Sequence, residues 1–134
     1  MRREVHRKVI YPELSYEVLG VLFEVYNNLG YGYREVTYQK AIEEELGRNS
    51  IAFVPQAPYL VKYKNNKLVK RYLDFVIEDK MVLEIKSGDY FSRQNFKQVL
   101  EYLKVTNLKL AILANYTNKE VKYKRVLNIE NYDS

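Results

Sequence analysis

Asp74, Glu84 and Lys86 are the residues of this chain whose types and spacing most readily do chemistry. They fall in two largely apolar runs, Tyr72-Leu73-Asp74-Phe75-Val76-Ile77 and Met81-Val82-Leu83-Glu84-Ile85-Lys86, separated by a short polar turn and suited to two β-strands. Side chains alternate across a strand. The odd positions Leu73, Phe75, Ile77, Met81, Leu83 and Ile85 are all apolar, so one face of this hairpin belongs to a core. The even positions Tyr72, Asp74, Val76, Val82, Glu84 and Lys86 then point the other way together. The two strands share that face only across an odd-length connection, which predicts a three-residue loop at Asp79-Lys80-Met81, or a one-residue shift with a bulge.

Two carboxylates meeting across neighbouring strands repel and raise each other's pKa unless a cation lies between them. Mg²⁺, with Mn²⁺ as a substitute, is the expected cofactor, because it is a hard ion that takes oxygen ligands, acidifies bound water and neutralises phosphate charge. Lys86 would set an ammonium beside that water and phosphate. The three groups make a minimal kit for metal-assisted phosphodiester hydrolysis. Glu-x-Lys alone selects nothing, since Glu78-Asp79-Lys80 and Glu120-Val121-Lys122 also match it. The first of these falls on the hairpin turn and the second in a charged stretch; only Glu84-Ile85-Lys86 lies in a core strand with an aspartate ten residues earlier. The competing reading is an exposed ion pair of Asp74 or Glu84 with Lys86 on a solvated face, of little energetic weight.

Composition narrows the alternatives. The chain has 134 residues, the size of one domain, and no apolar run approaching the roughly 20 residues of a membrane-spanning helix. We therefore expect a single domain over residues 1–134. It contains no cysteine, and its one histidine is His6, which excludes thiolate metal sites, cysteine nucleophiles and an internal serine-type triad. Catalysis must rest on carboxylates, lysine, arginine, amides or tyrosine. The basic start, Met1 to Lys8, is not followed by an apolar signal segment, so a cytoplasmic location is expected. With 22 Lys and Arg against 17 Asp and Glu, the net charge of +5 favours a polyanionic partner such as nucleic acid, or simply gives a solvated lysine face.

The elements that must position the three residues follow from periodicity. Leu14, Val18, Val21, Leu22, Val25 and Leu29 recur at helical spacing, with Pro12 suited to a first turn, predicting a helix over residues 12–28 that Gly30 ends. A second helix is expected from Tyr33 to Leu46, ending at Gly47. Strands follow at Ile51 to Val54, then Tyr59 to Tyr63, the turn Lys64-Asn65-Asn66-Lys67, Leu68 to Ile77, and Met81 to Ile85. Ser92 to Lys104 returns to helical spacing, Leu108 to Leu113 suits a buried strand, and Val121 to Ile129 a charged edge strand. The order α, α, β, β, β, α, β, β is that of a mixed α/β domain.

The run Gly32-Tyr33-Arg34-Glu35-Val36-Thr37-Tyr38, preceded by Val25-Tyr26-Asn27-Asn28-Leu29-Gly30, resembles the signature of the GxxExxY proteins, a group within the PD-(D/E)XK nuclease superfamily. Val54-Pro55-Gln56-Ala57-Pro58 resembles that group's strand entry, Tyr72-Leu73-Asp74 with Leu83-Glu84-Ile85-Lys86 its nuclease core, and Gln98-Val99-Leu100-Glu101-Tyr102-Leu103-Lys104 its Gln-containing helix. The resemblance implies an α/β, restriction-endonuclease-like core of αβββαβ order, with an extra N-terminal helix and a C-terminal edge strand. It further implies Mg²⁺ held by Asp74, Glu84 and the backbone carbonyl of Ile85. Glu35 and Gln98 would reach the site from their helices, one helping to hold metal or Lys86, the other orienting Lys86 or the water. Read as residues alone, Glu35 is equally a first-turn acid favoured by the helix dipole, Gln98 an exposed flank residue, and Tyr38 a core aromatic. The sequence departs from the group in having Tyr26-Asn27 and Tyr31 where a histidine and a proline are expected.

The chain has fourteen tyrosines, and Lys62, Tyr63, Lys64, Lys67, Lys70, Arg71 and Tyr72 cluster on one hairpin, suited to phosphate contacts and base stacking. Tyrosine is also an ordinary half-buried strand residue. Ser87-Gly88-Asp89-Tyr90-Phe91-Ser92-Arg93 leaves the catalytic strand directly and is the expected active-site loop. The reading at this level is a Mg²⁺-dependent nuclease acting on nucleic acid, expected to be DNA, and as a homodimer if duplex contact needs more surface. The alternative is a non-catalytic nucleic-acid-binding or assembly module that retains the fold.

Overall fold

The computed structural model describes residues 10–89 and 93–128. His6, residues 90–92 of the expected active-site loop and Ile129 lie outside the described residues. The elements are α1 (Pro12–Leu29), α2 (Glu35–Arg48), β1 (Phe53–Tyr63), β2 (Asn66–Ile77), β3 (Met81–Ser87), α3 (Arg93–Thr106), β4 (Leu110–Tyr116) and β5 (Val121–Leu127). The five strands form one sheet in sequence order. All neighbours are antiparallel except β3 and β4, which run parallel. A parallel pair cannot be closed by a tight turn, and α3 supplies the crossover. This is the expected mixed α/β architecture, an αβββαβ unit from α2 to β4 with α1 before it and β5 after it. Among the described residues no helix is long and apolar enough to cross a membrane.

Helices cover both faces of the sheet. Val18, Val21, Leu22 and Val25 of α1, with Tyr38, Ile42 and Leu46 of α2, pack on Phe75, Ile77, Leu83 and Ile85. On the opposite face Val99, Tyr102 and Leu103 of α3 pack on Val76, Val82, Ala111 and Val126. The hairpin therefore has no solvated face at its base, contrary to the ion-pair reading of its even positions. Every residue of β4 is buried, as a strand sandwiched between helix layers requires.

The β2–β3 register corrects the predicted loop. Ile77 pairs with Met81, Val76 with Val82 and Phe75 with Leu83, so the three-residue connection is Glu78-Asp79-Lys80 rather than Asp79-Lys80-Met81. Met81 is fully buried in the α1/α2-side core, and that burial holds it in the strand. Glu78 and Asp79 absorb the bend with φ of 53° and 55°.

Strict parity also fails at one position. Leu73 is buried with Ala57 and Tyr59 in the α3-side cluster, whereas Phe75 and Ile77 lie on the α1/α2 side. Alternation along β2 thus breaks at Asp74. Across from it Gln56 takes a φ of 49°, joining the two apolar stretches of β1 into one kinked strand. Beyond that break β2 pairs only with β1, and the two continue as a two-stranded ribbon. The ribbon closes at Lys64-Asn65, whose φ values of 50° and 69° suit a tight two-residue hairpin turn.

Candidate active site

Asp74 and Glu84 occupy the fork where β2 leaves β3. Regular pairing ends at Phe75 and Leu83, and side chains take over the next position. Glu84 Oε1 accepts a hydrogen bond from the Asp74 backbone N–H at 3.0 Å, and Asp74 Oδ2 accepts one from the Ile85 N–H at 2.7 Å. Separating strands would leave buried N–H groups without partners, and each carboxylate satisfies one from the opposite strand. The remaining oxygens are also placed: Gln39 Nε2 donates to Asp74 Oδ1 at 2.8 Å, and Lys86 Nζ lies 3.5 Å from Glu84 Oε2. The Glu84 side chain is 3% exposed and that of Lys86 26%, so the ammonium opens toward solvent and the carboxylate does not.

The electrostatics follow from this burial. Desolvation, then the charge of Asp74, pushes the Glu84 carboxyl up to about 7, against the opposing pull of the Asp74 N–H and Lys86. Asp74 is also raised, chiefly by burial; the Ile85 N–H and Lys86 work against this, and Glu35 adds to it. Two carboxylates under mutual strain, each oxygen retaining a lone pair beyond its present hydrogen bond, are a donor set that suits a hard divalent cation. Among the described residues no three Asp, Glu, His or Cys side chains converge on one point, so the acidic donors here are two.

The helices brace the fork from either side. Glu35, at the first position of α2, accepts from the Ser87 N–H at 3.1 Å, one residue beyond Lys86. It thereby ties the start of α2 to the exit of β3, and its bond is to backbone rather than to Lys86. Gln98 Nε2 donates to the Tyr72 carbonyl at 3.1 Å, joining α3 to β2 two residues before Asp74. Tyr38 is fully buried as a core aromatic, with its ring 4.4 Å from that of Tyr116. Its hydroxyl donates to the Gly30 carbonyl at 2.6 Å and accepts from the Tyr33 N–H at 3.4 Å. Gly30 and Gly32, with φ of 74° and 111°, make the bend that these bonds hold. Glycine, glutamate and tyrosine of the signature thus cooperate: the bend aims α2, Tyr38 locks the bend, and Glu35 docks on β3. Tyr38→Phe is expected to lower stability by about 1–3 kcal/mol, read from urea unfolding, by stripping a partly buried carbonyl of its donor. An unchanged midpoint would contradict that role.

A family model for the PD-(D/E)XK nuclease superfamily matches residues 12–126, from α1 into β5. The chain belongs to that superfamily. Among solved structures it is similar to one titled "Crystal structure of SSO0001", at a TM-score of 0.46 and 13% identity, over 90% of this chain and 82% of that one. No curated protein matches it. Asp74 and Glu84-Ile85-Lys86 have the residue types and order that the superfamily's name spells. Leu73 stands where the pattern has proline, and its side chain is buried in the α3-side core.

Two side chains of this PD-(D/E)XK chain that brace the fork and its exit escape a reading by strand parity. Gln39, which grips Asp74 and accepts from Gln56 Nε2 at 3.3 Å, sits four residues after Glu35. Its signal is helical spacing, which puts it on the same face of α2 as Glu35. Asn115 is fully buried in β4, in register with Lys86, and its Nδ2 donates to the Gly88 carbonyl at 2.5 Å. It braces the segment leaving β3. Its signal was a lone amide after the apolar run Leu108 to Leu113, just past the expected strand end.

Proposed function

We propose that this PD-(D/E)XK chain is a metal-dependent nuclease, acting on DNA, whose site is Asp74, Glu84 and Lys86. The observation that carries the reading is the fork itself, where the buried carboxylate of Glu84 meets the half-buried one of Asp74 and a lysine ammonium stands 3.5 Å from Glu84 at the solvent boundary. Asp74 and Glu84, with the backbone carbonyl of Ile85, would hold Mg²⁺. When bound, that ion would supply an acidified water and neutralise charge on the phosphate.

The chain's own residues carry the remaining tasks. Gln39 and the Ile85 N–H hold the Asp74 carboxylate in one orientation, and the Asp74 N–H does the same for Glu84. Lys86 offers a proton-bearing, partly exposed cation to the attacking water and the non-bridging phosphate oxygens, where negative charge develops. Glu35 and Gln98 act as positioning residues, fixing Ser87 and Tyr72 on the two strands that carry the site. The linked geometry of Gly32, Glu35 and Tyr38 supports placing the chain in the GxxExxY group.

Purified protein with Mg²⁺ or Mn²⁺ is expected to nick or degrade at least one of duplex, single-stranded or branched DNA, and chelator should stop it. Absence of cleavage on all three would overturn the reading. One observation favours a second reading, a nucleic-acid-binding module without catalysis: every carboxylate oxygen already has a protein partner. Calorimetry separates the two. Mg²⁺ binding that Asp74→Ala abolishes supports the nuclease, and no Mg²⁺ binding supports the module.

A further inference from the structure

Apart from the Tyr72 carbonyl that Gln98 holds, the ribbon formed by β1 and β2 beyond Asp74 has no part in the site so far described. From Phe53 to Leu73 the chain contains no Asp or Glu, yet it carries Lys62, Lys64, Lys67, Lys70 and Arg71. Arg71 is committed to Glu101 of α3 at 2.9 Å. Among the described residues the four lysines make no ion pair with an acid; Lys64 and Lys70 lie only over the rings of Tyr63 and Tyr72, at 5.3 and 5.5 Å. One face of the ribbon, with Tyr59, Arg71 and Leu73, is turned to α3. Strand alternation sends Lys70 and Tyr72 to the opposite face, where Tyr72 is 51% exposed; Leu68, at the bulge beside Val61 and Lys62, is 59% exposed. A two-stranded projection with cations along it and no acids is complementary to a polyanion, and its width is that of an element which the major groove of B-form DNA admits.

Resting on the nuclease reading for the nature of the ligand, we propose that this ribbon is an arm that enters the major groove of duplex DNA on one side of the scissile phosphate, and that B-form duplex is the substrate. Lys70 stands four residues and Lys67 seven residues from Asp74 along β2, which is about 13 and 24 Å at the rise of a strand. At 3.4 Å per base pair these lengths span at most about four and seven base pairs from the cut. The arm therefore makes the footprint one-sided. A-form RNA, whose major groove is too narrow and deep for a ribbon, is a poor ligand for the same surface.

The test is equilibrium binding of the full chain to fluorescent 20-base-pair DNA in chelator, across a salt series, so that no cleavage is required. Combining Lys62→Ala, Lys64→Ala, Lys67→Ala and Lys70→Ala should weaken binding at least tenfold and reduce the salt-dependence exponent by about 3 to 4, one phosphate contact per lysine. The four Lys→Arg replacements should restore both. Unmodified protein should bind duplex DNA at least tenfold more tightly than double-stranded RNA or single-stranded DNA of the same sequence. On a nicked, immobilised site, trimming the duplex below about seven base pairs on one side only should reduce affinity. An unchanged exponent in the alanine variant, equal binding of RNA or single strands, or symmetric dependence on flank length would overturn the arm. Duplex binding with these properties but without Mg²⁺-dependent cleavage would instead sink the nuclease reading and leave the arm standing.

Discussion

Lys86→Ala is expected to lower phosphodiester cleavage by about 10²- to 10³-fold, the usual cost of removing one preorganised charge that meets developing negative charge in a transition state. The same change should hardly affect folding. The ammonium is partly exposed, and below pH 7 it faces a Glu84 carboxyl that burial holds largely neutral, so at pH 6 the pair contributes little to stability. The two readouts separate chemistry from structure: single-turnover cleavage should fall steeply while the thermal midpoint moves by a degree or two. Lys86 also restrains the upward shift of Glu84, so the residual activity should have its acid limb displaced to higher pH. A loss of less than about fivefold, or a matching loss of stability, would remove Lys86 from the reaction.

Glu84→Gln is expected to make the metal-free protein more stable above pH 7, while destroying activity. Glu84 ionises near 7 in the folded chain, raised from 4.5 by burial and by Asp74. A carboxyl with a raised folded pKa favours the folded state fully below its unfolded value, and that contribution is lost as pH rises through the folded one. Between pH 4.5 and 7 the wild-type chain therefore loses stability, by about 3 kcal/mol over that interval. Asp74, raised by the same burial, acts with the same sign. Glutamine keeps an acceptor for the Asp74 N–H and carries no charge, so its urea midpoint should stay nearly flat where the wild type declines. The gap between the two should be small at pH 5 and about 1–3 kcal/mol at pH 8. Millimolar Mg²⁺ should close much of that gap at pH 8 and little at pH 5. Equal gaps at both pH values would show that Glu84 is not held neutral by its surroundings.

The elements were legible because their burial follows simple periods. Val18, Val21, Leu22 and Val25 give α1, Tyr38, Ile42 and Leu46 give α2, and the apolar odd residues of β2 and β3 give the hairpin core. Parity also put Asp74 and Glu84 on one face of the hairpin, and an odd-length loop was its correct corollary, displaced by one residue from the register that sets the two opposite each other. What parity could not supply was the break at Asp74, where two carboxylates substitute for backbone pairing and Leu73 turns to α3. That break is a long-range compromise between two cores and leaves no local spacing signal. Nor did the hairpin's even residues announce that α3 would cover them, since Val76 and Val82 read equally well as exposed β-branched positions. Glu35 and Gln98 were reached only through resemblance, and the structure gives them backbone partners, Ser87 and Tyr72, which no sequence pattern encodes. Gln39 was hidden for the same reason: an amide on a helix acquires meaning only when a carboxylate on another element comes within 2.8 Å.

The ribbon and the fork have opposite electrostatic characters, and their adjacency explains how one small chain would handle a polyanion. Lysines without acidic partners attract the phosphate backbone over a distance comparable to the screening length, about 8–10 Å at ordinary salt. The acids of the fork, Asp74 and Glu84, would repel it unless a cation intervenes. On the proposed reading substrate and metal would depend on each other at the site, the arm holding the duplex while the fork takes up its cation.

The central claim is most directly tested by a crystal of the protein soaked in Mn²⁺ and measured at the manganese absorption edge. An anomalous peak between the carboxylates of Asp74 and Glu84, within coordination distance of the Ile85 carbonyl and lost in Asp74→Ala, is the predicted result. A fully soaked crystal with no peak at the fork, and both carboxylates still bonded only to Gln39, Lys86 and the backbone, would contradict it.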